Sequence, residues 1–313
     1  MATLIAAQDA ATAAPAVRRR PRVRWSVGRV VGWAVMALMM FATLFPFYWM
    51  LRTAFSNTRA LSSHYASLAP AEFTWGAFQR VFGMQSTAQA IAEGGSGASL
   101  NFWLFLRNSF VVATTTTVCQ VLFCALAAYA FARLRWPGRN QLFFVFLTAM
   151  MIPGVFTTLP NFVLIRDLGL LNTLLGIVLP ALFMAPFSVF FLRQFFLSIP
   201  TEVEEAAKID GASHLRIFFR VIVPMSSAPI TTLALLTYIT SWNDYLWPLL
   251  VGKDDSSKVL TVALGVFRQQ TPSGAPDWAG LMAATFVSAI PVLILYAIVG
   301  KRIVSSIGFT GIK

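Results

Sequence analysis

Charge is scarce in this chain: 12% of its 313 residues are Asp, Glu, Lys or Arg, while 57% are hydrophobic and the mean hydropathy is +0.70. Soluble domains carry roughly a quarter charged residues, so the solvent for most of this sequence is lipid. Cysteine and histidine are nearly missing, at two each. Cys119 and Cys124 fall in one apolar stretch without CxxC or Cys/His ligand spacing, which speaks against a disulfide or a zinc site and leaves plain packing. No HExxH or GxSxG occurs, no DxD-like carboxylate pair lies within an apolar stretch, and His64 and His214 are far apart in sequence, so an enzyme has no constellation to work with. A GxxxxGK[ST] loop is missing too. Gly252-Lys253 and Gly300-Lys301 lack the preceding glycine and the following Ser or Thr, so the chain has no P-loop of its own to cradle phosphates.

What is present is apolar sequence in spanning lengths. Residues 1–17 are Ala-rich and aperiodic and read as disordered, and Arg18, Arg19, Arg20, Arg22 and Arg24 form a basic collar. The apolar run after the collar is about 20 residues long, beyond the core of a cleaved signal peptide, and reads as a retained first span. Six stretches follow the spanning pattern, near 28–51, 107–132, 141–165, 174–196, 222–247 and 279–300. Their near-continuous apolarity, without dyad alternation, excludes a barrel and makes them helices. The expected fold is an all-α membrane protein of six transmembrane helices over 28–300, between a basic N-terminal segment, 1–27, and a C-terminal tail, 301–313.

The formal charge of +12 belongs to topology rather than to a nucleic-acid partner. Sixteen of the 24 Lys and Arg fall on the side of the two termini and the 133–139 and 193–220 segments, which puts both termini in the cytoplasm. Trp49, Trp136, Trp242 and Trp247 lie near expected span ends, as an interfacial belt requires. The longest outward segment, 52–106, reads as a solvated loop with a flexible linker at Gly94-Gly95-Ser96-Gly97. Pro153, Pro160, Pro180, Pro186, Pro229 and Pro291 mark kinks or broken helices inside spans.

The most informative cytoplasmic loop is 198–221. Thr201 is placed to cap a helix with Glu204 capping back, Glu202, Glu204 and Glu205 suit the positive end of its dipole, and Gly211 can stop it. Ser213 would cap the next stretch toward Pro224. Val203, Ala206 and Ala207 give the short helix a small apolar face that permits close approach by a partner.

Glu205-Ala206-Ala207, three residues, Gly211, nine residues and then Val221-Ile222-Val223-Pro224 resembles the EAA motif of ABC-importer permeases, with Val221 and Val223 in the positions of Ile and Leu. Further segments look like the MalG-like carbohydrate branch of the binding-protein-dependent transport inner-membrane component family. These are Pro46-Phe47-Tyr48-Trp49, Asn108-Ser109, Ala127-Ala128-Tyr129-Ala130-Phe131-Ala132-Arg133, Ile152-Pro153-Gly154 and Trp242-Asn243-Asp244-Tyr245. The resemblance runs from about Phe45 to the C-terminus. The long N-terminus and the Gly/Ser-rich insert around 85–99 depart from it. It implies that Glu204, Glu205, Ala206, Ala207, Asp210, Gly211 and Pro224 belong to a cytoplasmic coupling helix and loop that dock on an ATPase. The implied partners are a second related permease, two ATPase domains that hold the ATP and Mg, and an extracytoplasmic solute-binding protein, around a subunit of the bacterial inner membrane that itself binds no cofactor and no nucleic acid. The implied cargo is a sugar or sugar-like solute.

Polar groups inside spans are costly and so mark a candidate pathway: Gln120, Thr157, Thr158, Asn161, Ser188, Trp242, Asn243 and Asp244. Asp244 is the one acid read as lying within or at the edge of a span. The rival readings are a self-sufficient secondary transporter or channel, which wants a paired intramembrane acid or a proton relay, and a lipid enzyme, which wants a juxtamembrane cluster.

Overall fold

The computed structural model describes residues 27–64, 66–97, 100–268 and 276–307, with side chains 266, 299 and 301–307 left out. The expected disordered segment 1–17, the arginine collar and the end of the tail lie outside these residues. The chain divides into two units, 1–48 and 49–313. The described part of the first unit is helix alone, the bulk of α1 (Val27–Ala54). Every side chain from 27 to 48 is exposed, and apolar residues cover all its faces, the pattern of a helix surrounded by lipid. Thr43 turns its hydroxyl back onto the Met39 carbonyl at 2.8 Å, which satisfies that hydroxyl within the helix.

The second unit contains the rest. After three short helices, α2 (Thr58–Leu61), α3 (Gly76–Val81) and α4 (Thr87–Ala92), comes the long α5 (Phe102–Arg133). There follow α6 (Arg139–Ala149), α7 (Gly154–Asp167), α8 (Leu174–Val178), α9 (Pro186–Ser198), α10 (Thr201–Ile209), α11 (His214–Ile217) and α12 (Val223–Met225). The chain continues as α13 (Ser227–Asn243), α14 (Leu246–Val251), α15 (Leu260–Ala263) and α16 (Trp278–Ile307). Among the described residues β structure is limited to isolated bridge positions, Ser56 paired antiparallel with Phe73 and a further one at Pro276.

Three helices, α1, α5 and α16, are long and apolar enough to cross a membrane unaided. The other three expected spans are broken. α6 and α7 meet at 99°, the α8 segment and α9 at 49°, and the α11–α12 segment and α13 at 82°. Each break has a chemical cause. Pro153 precedes α7 and biases Ile152 away from helical geometry. Pro180 sits in the 3₁₀ turn Leu179–Ala181, and Pro186 opens α9 with the fixed φ that suits a first turn. Pro224 has no N–H to offer, and the turn before it, Phe218–Ile222, widens into a π-helix. By length and composition the helices make up to six crossings when each bent pair counts as one.

α5 is the axis. It packs along both α9 and α13, and α13 packs in turn along α16. At one end Phe102, Phe105 and Phe78 join Phe267 and the start of α16 in a closed core; at the other, Leu192, Phe196 and Phe218 close around Tyr129 and Ala128. Asn108, fully buried, donates through Nδ2 to the carbonyls of Ser256 and Lys258 at 3.0 Å each, and the Ser109 hydroxyl accepts from the Leu260 amide at 2.8 Å. Those two side chains satisfy the backbone of the extended segment leading into α15.

The segment expected to be a solvated loop with a flexible linker is a folded cap instead. Asp277, fully buried, accepts from the Thr58 hydroxyl (2.9 Å), the Ser96 amide (3.1 Å) and the Gly280 amide (2.8 Å), and its carboxylate lies 3.0 Å from Nε of Arg80. Arg80 also reaches Glu93 at 3.0 Å. Gly95 is held against this pair, where a Cβ would stand 2.7 Å from the Arg80 guanidinium. The glycine therefore serves close approach rather than flexibility. No signal local to 85–99 announces this, because the partner acid lies 181 residues beyond Ser96. Asp277→Ala strips buried Arg80 of its buried partner, leaves it only the part-exposed Glu93, orphans the Ser96 and Gly280 amides, and is expected to cost about 3 kcal/mol. Thermal unfolding in detergent should show a large drop in midpoint, with the 58–97 segment the first to be cut by protease.

Candidate functional site

The loop 198–221 folds as helix, turn, helix. α10 starts after Pro200, with no side-chain cap; Thr201 is already inside the first turn, so the expected Thr201–Glu204 capping box does not form. The C-terminus behaves as expected. Gly211, at φ +76°, donates its amide to the Lys208 carbonyl (2.9 Å), and Ala212 donates to Ala207 (3.0 Å), the paired bonds of a left-handed helix stop. Ser213 then caps α11 by accepting from the Arg216 amide.

Burial sorts the seven residues assigned to docking. Glu205, Ala206, Asp210 and Gly211 are exposed, and Ala207 packs against the core around Phe196 and Phe218. Pro224 is exposed at the break before α13, outside α10. Glu204 is the exception: it is 4% exposed and turned inward. Its Oε1 lies 2.9 Å from Nε of Arg133, the last residue of α5, and both side chains are more than nine-tenths buried. The Arg133 Nη2 donates to the carbonyls of Phe196 and Ile199 at the C-terminal end of α9. Glu204 is thus engaged by its own chain and offers nothing to an outside partner. Ile209, which the sequence reading passed over, is 87% exposed beside the Glu205–Ala206 surface. Its position three residues beyond Ala206 continues the spacing of Val203 and Ala206.

The pathway residues fall into two groups. Gln120, Thr157, Thr158, Asn161, Ser188 and Asp244 line one cavity of about 620 Å³, bounded by α5, α7, α9, α13 and the start of α14. Trp242 and Asn243 do not line it. Trp242 is buried, stacks on Tyr238 and donates its indole N–H to the Ser288 carbonyl at 3.2 Å, which makes it a core residue between α13 and α16 rather than a belt or pathway residue. Asn243 donates to the Ile239 carbonyl of its own helix. The cavity adds Thr116, Thr237, Thr240 and Ser241. Their spacing carried the signal: Thr116 and Gln120 are four apart on α5, and Thr237, Thr240, Ser241 and Asp244 recur at helical intervals of three and four.

The lining carries hydroxyls, two amides and a single carboxylate, with no Lys or Arg. Asp244 is the residue that ends α13, at the break before α14, and it lines the cavity there. The Thr157 and Thr158 hydroxyls donate to the Gly154 carbonyl, at 2.8 and 3.2 Å, and keep their lone pairs free for a ligand.

Comparison with known proteins bears on this geometry. The family model described as "Binding-protein-dependent transport system inner membrane component" matches residues 120–307. The sn-glycerol-3-phosphate transport system permease protein UgpE of Yersinia pestis is 33% identical, over 80% of this chain and 86% of its own length. The diacetylchitobiose uptake system permease protein NgcG of Streptomyces coelicolor is 30% identical, over 88% of this chain and 85% of its own. Among solved structures, a chain of a bacterial ABC transporter involved in the import of the acidic polysaccharide alginate superposes with a TM-score of 0.74, at 24% identity, covering 90% of this chain and 99% of that one.

Asp244, the carboxylate of the cavity lining, yields a graded expectation. Asp244→Asn removes the charge but keeps a polar side chain of the same size and should leave uptake of a neutral solute near the parent level, whereas Asp244→Ala also removes a polar group from the lining and should weaken it. Uptake kinetics of the two variants side by side check this; equal losses in both would assign the carboxylate's charge a direct role. At Gly211 a Cβ meets nothing within 4 Å, so Gly211→Ala carries only the left-handed backbone penalty, about 1–2 kcal/mol, and should loosen the turn after α10 without disturbing packing. Faster backbone amide exchange confined to 205–213 is the readout.

Proposed function

The chain belongs to the family of binding-protein-dependent transport system inner membrane components, and on that premise we propose that it is the permease subunit of an ATP-driven importer for a neutral sugar or sugar-like polar solute. It spans the bacterial cytoplasmic membrane six times, counting each bent pair once, with both termini inside. The distribution of Lys and Arg supports that orientation. Its partners are a second related permease, two cytoplasmic ATPase domains carrying ATP and Mg, and an external solute-binding protein.

The observation that carries this reading is α10: a short helix with an exposed face of Glu205, Ala206 and Ile209, ended sharply at Gly211, on the side richest in Lys and Arg. Glu205, exposed at the middle of α10, is free to meet a cation on the ATPase. Closure of the ATPase pair on ATP moves α10 with its counterpart on the second permease, and the membrane helices then open outward to accept solute; hydrolysis resets them. The chain has no P-loop, so the hydrolysing site belongs to the partner. A secondary transporter wants a paired intramembrane acid or a proton relay, and the cavity lining holds a single acid, Asp244.

Cargo charge follows from the lining. A phosphorylated or carboxylated solute needs a cation, and the cavity supplies none; hydroxyls and amides suit a polyol, with the Trp247 indole beside them for its C–H faces. This favours a neutral cargo such as the diacetylchitobiose named for the Streptomyces relative, over the glycerol phosphate named for that from Yersinia.

Glu205→Lys should abolish uptake and solute-stimulated ATP hydrolysis while the chain still inserts. Normal uptake by that variant would remove the docking claim. Membrane vesicles holding the assembled transporter should accumulate the solute only with internal ATP, and neutral oligosaccharides should compete for entry where sugar phosphates do not.

A further inference from the structure

We propose that the Arg133–Glu204 pair is the strut through which the displacement of α10 reaches the cavity, making both residues positioning residues for transport. The inference rests on the reading of α10 as the ATPase contact and adds the route by which its movement travels.

Covalently, α10 hangs between two pivots. Pro200 joins it to the end of α9, and Gly211, in the left-handed conformation, joins it to α11. Force entering through these connections meets a break in either direction: the 49° bend before α9, or the π turn and the 82° bend before α13. The third connection is Glu204 to Arg133, at the inner end of α5. Arg133 holds three elements at once: its own α5, the terminal carbonyls of α9 at Phe196 and Ile199, and α10 through Glu204. Because both side chains are more than nine-tenths buried, sliding α10 along α5 would separate two largely buried charges, so these three helix ends move as one body.

From Arg133 onward the route has no break. α5 contains neither proline nor glycine over its 32 residues, and Thr116 and Gln120 on it line the cavity. Beyond them Asn108 and Ser109 grip the segment before α15. A displacement of α10 is therefore delivered to one wall of the cavity as a rigid movement of α5, while the bent helices on the other walls are free to lag.

The test uses the assembled transporter in proteoliposomes. Spin labels on Arg135→Cys and Lys208→Cys, two exposed positions flanking the pair on the α5 and α10 sides, are introduced after replacing Cys119 and Cys124. With Arg133 and Glu204 intact, the inter-label distance distribution should be the same with and without ATP. In Glu204→Gln it should broaden on nucleotide binding, and uptake should fall about tenfold or more, the scale of a lost coupling free energy, while ATP hydrolysis continues. A nucleotide-dependent shift of the distance in the charge-intact protein overturns the strut, as does full uptake by Glu204→Gln. Recovery of the ATPase with the intact chain separates the two levels: with no ATPase recovered, the importer reading itself fails; with it recovered and the labels moving apart, only the strut does.

Discussion

One unbroken helix constrains everything around it. In lipid each backbone amide must find its partner inside the protein, and a helix does this best when nothing interrupts it. α5 meets that condition for its whole length, whereas the elements packed on it are interrupted by Pro153, Pro180, Pro186 and Pro224. The polar residues α5 does carry are placed where neighbours lack internal partners. Asn108 and Ser109 complete the backbone before α15, and Arg133 completes the end of α9 and neutralises Glu204. Buried polar groups of this kind are tolerated because they are matched, and they fix the register of the helices they join.

The breaks explain where the cavity is. Pro180, Ala181 and Ala185 belong to the bend before α9, Thr157 and Thr158 to the start of α7 just after its break, and Asp244 to the gap between α13 and α14. Non-helical backbone at membrane depth is stable only where protein or a wet cavity receives its polar groups. The same prolines that cost each span its continuity therefore gather carbonyls, hydroxyls and cap residues into one place. α5 provides the straight wall against which these broken walls stand.

Sequence made parts of this legible for identifiable reasons. Apolar run length located the helices, because spanning length is set by the bilayer rather than by neighbours. Gly211 was readable as a stop because a left-handed residue after an amphipathic turn has few other uses. Six of the pathway residues meet in one cavity because polar side chains in lipid have few other places to go. Other features depend on contacts distant in sequence. Glu204 looked like a capping residue, and only the approach of Arg133 from α5 shows that it faces inward. Trp242 looked interfacial, yet α16 buries it. Asp277, in a short polar stretch before the last helix, organises a cap whose other residues lie near 58, 80 and 96.

A transport cavity has to let go of what it binds, and the bonding around this one suits release. Among the described residues, buried side-chain atoms with neither a hydrogen-bond nor an ion-pair partner lie on Ser96, Thr114, Thr117 and Tyr129, and none of these residues lines the cavity. The Thr157 and Thr158 hydroxyls are satisfied by Gly154 whether or not a solute is present. An arriving neutral solute therefore gains only what free lone pairs and apolar faces add. Weak, neutral contacts of that sort cannot set direction or supply tight selection. Both must come from elements that engage the chain from outside the membrane, which is why so much of its buried charge lies at helix ends and loops and so little in the cavity.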